Sequence, residues 1–288
     1  MSAHETAGLY VPRRAASSIV RRAVLYLLLV AVALLFFVPF VWTISTSFKT
    51  IPDAVNVNLI PHPWTTSAWH TIWTQYDFKT YIKNSFFLAV VITAANLFLA
   101  GLGGYAFARL RFPGRGLLFL LVLGTLMVPD QLRLIPIFVM LTKWGLVFSF
   151  KGYILISLVT ATNLFFMRQY FSTIPKDFEE AAKLDGAGYF KTFWRVMLPL
   201  ALPAISALAI LQFQGVWNDF FWPLILFGQG SPNLYTVQLG LAELQFTYSS
   251  YVPELMAGSV IAILPILVIF LIFQRYFIAG VVSAGVKG

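Results

Sequence analysis

Charged residues cluster in one short stretch of this chain, residues 168–195, which holds nine of them. Only 11% of the whole chain is charged, so this cluster is the clearest polar feature of the sequence. Its acidic residues Asp177, Glu179 and Glu180 favour the positive N-terminal end of a short helix. Gly186 follows where that helix should end, because glycine accepts the left-handed conformation of a C-terminal cap. Such a segment is a polar, ordered interruption of an otherwise apolar chain.

The stretch is predicted to form two short helices around a glycine turn. The first helix carries a narrow apolar stripe of Phe178, Ala181 and Ala182, whose mostly small side chains permit close approach. This pattern indicates either docking into a groove on a partner protein or a loop resting on lipid headgroups, because both share the helical period. Glu180 could also pair with Lys176, four residues earlier on the same helix face.

Motifs for catalysis and cofactor binding are absent from the sequence. No stretch fits the phosphate-binding pattern G-x-x-x-x-G-K-[ST], and no H-E-x-x-H pair is present. The three histidines are scattered, and the chain has no cysteine, which excludes disulfides and thiolate metal sites. We therefore expect no catalytic residue, metal or cofactor in this chain, and no ATP hydrolysis by it.

A second group of polar residues lies within or beside long apolar runs. Polar groups are costly in lipid, so these residues are candidates for a path through the membrane. The alternative is that the amides only bridge neighbouring helices. One uninterrupted helix from Pro199 to Asn218 would rise about 28 Å, nearly the thickness of the hydrocarbon core. The candidates are Asn96, Gln131, Asn163, Gln212, Gln214, Trp217, Asn218 and Asp219.

The elements that position these residues are predicted to be membrane-spanning helices. Mean hydropathy is +0.80 and 59% of the residues are hydrophobic, and both values are far above those typical of a soluble domain. A bilayer core needs roughly 20 apolar residues as helix. Four uncharged runs are long enough and two are shorter, which predicts an all-α, polytopic protein with six spans. The long runs are 23–48, 84–108, 196–218 and 255–274, and the shorter ones are 116–129 and 152–167.

These spans divide the chain into five segments. They are a cytoplasmic tail (1–22), a first transmembrane helix (23–48), an extracytoplasmic loop (49–83), a core domain with five further spans (84–275) and a cytoplasmic C-terminal tail (276–288). The first run could instead be a signal peptide, but it is too long for one and lacks a convincing cleavage site. In the second span, Ala100, Gly104 and Ala108 form a ridge of small residues at four-residue spacing, which predicts close helix packing.

The basic charge is distributed according to membrane orientation. With the N-terminus in the cytoplasm, 14 of the 20 Lys and Arg residues fall in cytoplasmic segments. This is the positive-inside bias. The net charge of +9 therefore indicates a multi-pass protein with both termini in the cytoplasm, and not nucleic-acid binding.

Several short motifs, in order along the chain, resemble the membrane subunits of ABC importers. The charged stretch resembles their EAA loop, here about 168–199, through Glu180-Ala181-Ala182, Asp185-Gly186-Ala187, Phe193 and Leu198-Pro199-Leu200. Further motifs are Phe107-Ala108-Arg109, Phe112-Pro113-Gly114-Arg115, Ile135-Pro136, Arg168-Gln169, and Trp217-Asn218-Asp219 with Pro223. The C-terminal "AGVVSAGVKG" resembles the carbohydrate-uptake branch, and in particular the smaller maltose-type permease subunits.

The resemblance implies a type I ABC importer transmembrane domain in a bacterial or archaeal cytoplasmic membrane. It implies that Glu180, Ala181, Ala182, Asp185, Gly186 and Ala187 dock in a cleft of a cytoplasmic ATPase. The implied partners are a second permease subunit in a heterodimer, two ATPase subunits that bind ATP and Mg, an extracytoplasmic solute-binding protein, membrane lipid and a sugar substrate.

Three alternatives remain open at the level of sequence. An importer of this class could carry a polyol or glycerol phosphate instead of a sugar. A secondary transporter would need an ionisable residue in mid-span, and only Asp130 and Arg133 come close. An intramembrane enzyme would need a nucleophile, metal ligands or paired carboxylates at one depth, and none are present.

Overall fold

The computed structural model describes residues 14–228, 230, 232–247 and 251–285, with side chains described except at 14–19, 246–247 and 273–285. Within these residues the chain is helical and contains no strand. The helices are α1 (Arg14–Thr46), α2 (Ile51–Ala54), α3 (Ser67–Thr74), α4 (Phe78–Arg109), α5 (Arg115–Gly124), α6 (Asp130–Lys143), α7 (Phe150–Ser157), α8 (Ala161–Thr173), α9 (Asp177–Leu184), α10 (Tyr189–Thr192), α11 (Leu198–Leu200), α12 (Leu202–Trp217), α13 (Phe221–Phe227), α14 (Val237–Thr247) and α15 (Val252–Gly285).

Among the described residues, three helices are long and apolar enough to cross a membrane without interruption, and they lie within α1, α4 and α15. In three further cases, two successive helices pass the same criterion when taken as one segment, but the chain bends at a short break between them. The bends are 104° between α5 and α6, 41° between α7 and α8, and 74° where α11 meets α12. Counting each bent pair as one span gives the six spans predicted from the sequence.

The predicted uninterrupted helix from Pro199 to Asn218 is wrong. α11 ends at Leu200, Ala201 joins it to α12 in a bend, and α12 ends at Trp217. Pro203 stands in the first turn of α12, where its missing N–H is tolerated, whereas it could not continue a helix from α11. The straight segment therefore rises about 24 Å.

Several helices extend beyond the apolar runs from which they were predicted. α1 begins at Arg14, α4 at Phe78, and α15 continues to Gly285. A helix satisfies its own backbone hydrogen bonds, so it can continue past the hydrocarbon layer into polar surroundings. Residues 1–13 and 286–288 of the predicted tails lie outside the described residues.

The core of the molecule is built around α4, which packs against both α8 and α12. Ala100 is fully buried, and a Cβ placed on Gly104 would lie 2.6 Å from the Cβ of Met167 and 2.8 Å from the backbone nitrogen of Arg168. Side chains of α4, α8 and the π-helical turn Phe193–Met197 fill the space around this contact. The predicted close packing along the small-residue ridge is confirmed.

The segment between α1 and α4 is held by its own polar contacts. Lys49 is fully buried and its Nζ donates to the carbonyl of Asn56 at 2.8 Å. Asp53 accepts from the backbone N–H of His62 at 3.1 Å and from the side chain of Asn56 at 3.3 Å. These bonds hold the pKa of the Asp53 carboxyl below its ordinary value. Phe48 stacks on Trp64 beside them, with 5.1 Å between the ring centroids.

Candidate functional site

The predicted docking loop forms a short, mostly exposed helix, α9, at one end of the bundle. Glu180 and Ala181 are exposed, whereas Ala182 is buried against the rest of the chain. A recess of about 420 Å³ lies between α9 and the segment that follows. Its lining residues include Ala181, Ala182, Asp185, Ala187, Lys191 and Arg195. The loop therefore presents a small-residue surface with charges of both signs around it.

The turn after α9 has the geometry that the sequence predicted for Gly186. Its φ is +76°, in the left-handed region. The N–H of Gly186 donates to the carbonyl of Lys183 at 3.0 Å, and the N–H of Ala187 donates to that of Ala182 at 2.9 Å. This pair of bonds is a Schellman motif, which satisfies carbonyls that the helix end would leave unpaired. The motif fixes the direction in which the chain leaves α9.

Replacing Gly186 by valine should lose transport while membrane insertion is kept. A Cβ at this position would meet nothing within 4 Å, so the cost is the positive φ, about 1–2 kcal/mol for an ordinary residue and more for a β-branched one. Gly188 is the matched control, since its φ is −73° and its surroundings are equally open. Gly188→Ala should retain uptake. Wild-type uptake by Gly186→Val would show that the turn geometry is dispensable.

A buried ion pair joins α9 to the transmembrane helices. The Nε of Arg109, the last residue of α4, lies 3.9 Å from Oε2 of Glu179, and the two side chains are 7% and 13% exposed. The guanidinium of Arg109 also donates to the carbonyl of Ile174, just after α8. Arg109 belongs to the motif Phe107-Ala108-Arg109, but that motif does not point to Glu179. Nothing in the sequence identifies this pair, because 70 residues separate its members.

Three predicted substrate-path residues instead meet in one hydrogen-bonded network between helices. The amide nitrogen of Asn163 donates to the side-chain oxygens of Asn96 and Gln212, both at 2.7 Å. The amide of Asn96 donates to the carbonyl of Ser157 at 3.1 Å. Asn96 is fully buried and Asn163 is 5% exposed, so these two residues join α4 to α8. Gln212 on α12 is half-buried and also reaches a neighbouring cavity.

That cavity has a volume of about 540 Å³ and lies among the broken helices. Gln212, Gly215 and Asp219 line it from one face of α12 and the residues just after it. Oδ2 of Asp219 accepts from the hydroxyl of Tyr153 at 2.6 Å. Other polar lining residues are Thr125, Asp130, Arg133, Ser157, Thr160 and Thr162. The arrangement can hydrogen-bond a hydroxylated solute.

The remaining predicted path residues do not line this cavity. Trp217 is buried on the opposite face of α12, where its Nε1 donates to the carbonyl of Ala262 at 3.0 Å. Asn218 is exposed and accepts from the side chain of Gln238 at 3.3 Å. Gln131 and Gln214 are exposed within the chain. The structure therefore brings Gln212 and Asp219 together at the cavity and separates the others from it.

Bent and continuous membrane helices around a polar cavity, with a short exposed helix at one end, are the architecture of a membrane transport subunit. Residues 100–283 match the family of binding-protein-dependent transport system inner membrane components. The chain belongs to this family, so it is a transport component and not an ATPase. Membership of this family rules out the two alternative interpretations of the sequence, a secondary transporter and an intramembrane enzyme.

Known relatives share most of the chain. It is 41% identical, over 209 residues, to the arabinooligosaccharides transport system permease protein AraQ of Halalkalibacterium halodurans, covering 73% of this chain and 74% of that protein. It is 30% identical, over 276 residues, to the trehalose/maltose transport system permease protein MalG of Thermococcus litoralis, covering 94% and 98%.

A solved structure has the same fold. It is the crystal structure of a bacterial ABC transporter involved in the import of the acidic polysaccharide alginate, with a TM-score of 0.78 and 27% identity over 94% of this chain and 100% of that one. The fold is that of type I ABC importer membrane subunits, as the sequence resemblance implied.

Proposed function

We propose that this chain is one of two membrane subunits of a binding-protein-dependent ABC importer for a neutral sugar. It forms half of the translocation pathway, and two ATPase subunits carry ATP and Mg. The exposed, rigidly terminated helix α9 is the observation that carries the proposal. Its exposed Glu180 and Ala181 stand beside a recess lined by small residues and by charges of both signs, a surface suited to a groove on a partner protein.

The partners and orientation belong to the same proposal. α9 and both chain termini lie on the cytoplasmic side, consistent with the positive-inside distribution of Lys and Arg. A second permease subunit completes the pathway, because an importer pathway is formed between two membrane subunits. The resemblance to maltose-type permeases implies that this second subunit is a different chain, so that the pair is a heterodimer. A solute-binding protein delivers the substrate at the opposite face, in keeping with the description of the family.

The charges around the cavity support a neutral substrate over glycerol phosphate. Asp130 and Arg133 pair with each other, whereas Asp219 has no ion-pair partner among the described residues. A carboxylate in a partly desolvated cavity repels a phosphate and accepts hydrogen bonds from sugar hydroxyls. The names of AraQ and MalG, which refer to arabinooligosaccharides and to trehalose and maltose, point to the same class.

Purification and reconstitution test the proposal. The tagged chain should copurify with ATPase subunits and, in proteoliposomes with its binding protein, take up a sugar only when ATP is supplied. Arabinooligosaccharides, maltose and glycerol phosphate should be compared as labelled substrates. Uptake driven by an ion gradient without ATP would contradict the assignment, and preference for glycerol phosphate would contradict the neutral-sugar class.

The isolated chain should show no ATP hydrolysis, because it has no phosphate-binding loop. The measurement is vanadate-sensitive phosphate release by the chain purified away from other subunits. The copurified complex, assayed at the same concentration, is the control and should hydrolyse ATP. Activity that persists in the isolated chain would require a nucleotide site that the sequence does not contain.

A further inference from the structure

Adjacent acidic residues of α9 point in different directions. Glu180 is exposed, whereas the Glu179 side chain is 13% exposed and faces Arg109. Successive residues on a helix are about 100° apart, so one can face a partner while the next faces the bundle. A buried charge requires a compensating partner, and among the described residues Arg109 forms the ion pair with Glu179. The two glutamates are therefore suited to different tasks.

Arg109 contacts three elements at once. It ends α4, its guanidinium donates to the carbonyl of Ile174 after α8, and its Nε faces Glu179 on α9. The buried Tyr105, one turn earlier on α4, interacts electrostatically with the same carboxylate and packs against Phe171 of α8, with ring centroids 5.8 Å apart. A displacement of α9 at Glu179 must therefore act on α4 and α8 together.

α4 and α8 are themselves joined along their length. Their backbones meet at Gly104, and the bond between Asn163 and Asn96 joins them about 20 Å from Arg109 along α4. Asn96 also holds the carbonyl of Ser157, and Ser157 lines the cavity. Packed helices joined in this way transmit displacement because interiors are close-packed.

The ion pair also has unused hydrogen-bonding capacity. Arg109 Nε and Glu179 Oε1 are both buried, and neither meets a partner at hydrogen-bonding distance among the described residues, although the Tyr105 hydroxyl lies near the same carboxylate. At 3.9 Å the pair is an electrostatic contact that a small movement of α9 toward α4 would convert into a hydrogen bond. The contact can therefore tighten when α9 is pushed toward the bundle.

We propose that Arg109 and Glu179 form a buried tether that makes α9 move together with α4 and α8 and so transmits its displacement to the cavity. The inference rests on the proposed function, since it requires an ATPase docked on α9. Glu179 is then a positioning residue that faces the bundle, and Glu180 is the residue that faces the ATPase.

The absence of cysteine from the chain permits a direct test. Thr162 lines the cavity and is exposed, so Thr162→Cys reports on cavity access through its rate of modification by a thiol reagent. In the copurified complex, Mg-ATP with vanadate should change this rate. With Glu179→Ala added, the nucleotide-dependent change in the modification rate should be about tenfold smaller, which is within the usual range of coupling between sites. The ATPase subunits should remain bound.

Asp177→Ala is the matched control, because it removes an exposed acid from the first turn of the same helix. It should keep the full nucleotide-dependent change. Glu179→Gln, which preserves shape, and Arg109→Gln should each behave like Glu179→Ala, and the double variant should lose no more than either single one. Additive losses, an undiminished change in Glu179→Ala, or loss of the ATPase subunits from the Glu179 variants would each overturn the tether.

A separate result tests the underlying function. If the chain with Glu179 and Arg109 intact shows no response of Thr162→Cys to Mg-ATP and vanadate, the ATPase coupling itself is refuted. If the Thr162→Cys modification rate responds to Mg-ATP and vanadate equally with and without the Glu179 substitution, only the tether is refuted.

Discussion

Replacing Gly104 by alanine is expected to destabilise the folded subunit by about 1–3 kcal/mol, the usual cost of overpacking. The upper end applies here, because the added Cβ would meet the Cβ of Met167 at 2.6 Å and the backbone of Arg168 at 2.8 Å. Backbone atoms cannot move aside as a flexible side chain can. α4 and α8 would have to separate. This would disturb both the hydrogen bond between Asn96 and Asn163 and the ion pair of Arg109 with Glu179. The measurement is the unfolding midpoint of the purified subunit or complex in detergent.

Gly101 provides the control on the same helix. A Cβ there would lie 3.9 Å from Cζ of Phe193, an ordinary contact. Alanine is a better helix former than glycine by about 0.5–1 kcal/mol, so Gly101→Ala should be neutral or stabilising. Opposite effects at two glycines three residues apart would identify helix contact as the cause. Equal effects would contradict the close approach of α4 to α8.

Replacing Glu180 by alanine should release the ATPase subunits and abolish uptake. Once docked, Glu180 loses water and must gain a charged or hydrogen-bonded partner, and removing one member of such a buried pair costs about 2–5 kcal/mol. The side chain is exposed in this chain, and no ion pair with Lys176 is formed among the described residues. Retention of ATPase subunits during purification, together with uptake in proteoliposomes, measures the effect.

The choice of control decides what the Glu180 experiment means. Glu179 is unsuitable because it forms the buried pair with Arg109. Asp177 is exposed on the same helix and should change docking by less than about 1 kcal/mol when replaced by alanine, as exposed charges do. Equal and mild effects at Asp177 and Glu180 would contradict docking through Glu180.

Much of the architecture follows from the sequence because it depends on local and periodic properties. Uncharged runs long enough to cross a bilayer indicate helices, since lipid offers no partner for backbone polar groups. The turn at Gly186 is predictable because few residues other than glycine accept a positive φ. The ridge around Gly104 is predictable because small residues repeated every fourth position share one helix face.

The contacts of the functional site depend on which helices become neighbours, and the sequence does not contain that information in local form. The pairing of Arg109 with Glu179, of Tyr153 with Asp219, and of Asn96 with Asn163 each joins residues more than 60 positions apart. The sequence determined that this is a membrane transport subunit with a charged, glycine-terminated loop, through periodicity and motif. The tertiary structure alone decided that Glu179 faces inward, that Trp217 packs away from the cavity and that Gln212 and Asp219 line it, because side-chain direction is set by packing between distant segments.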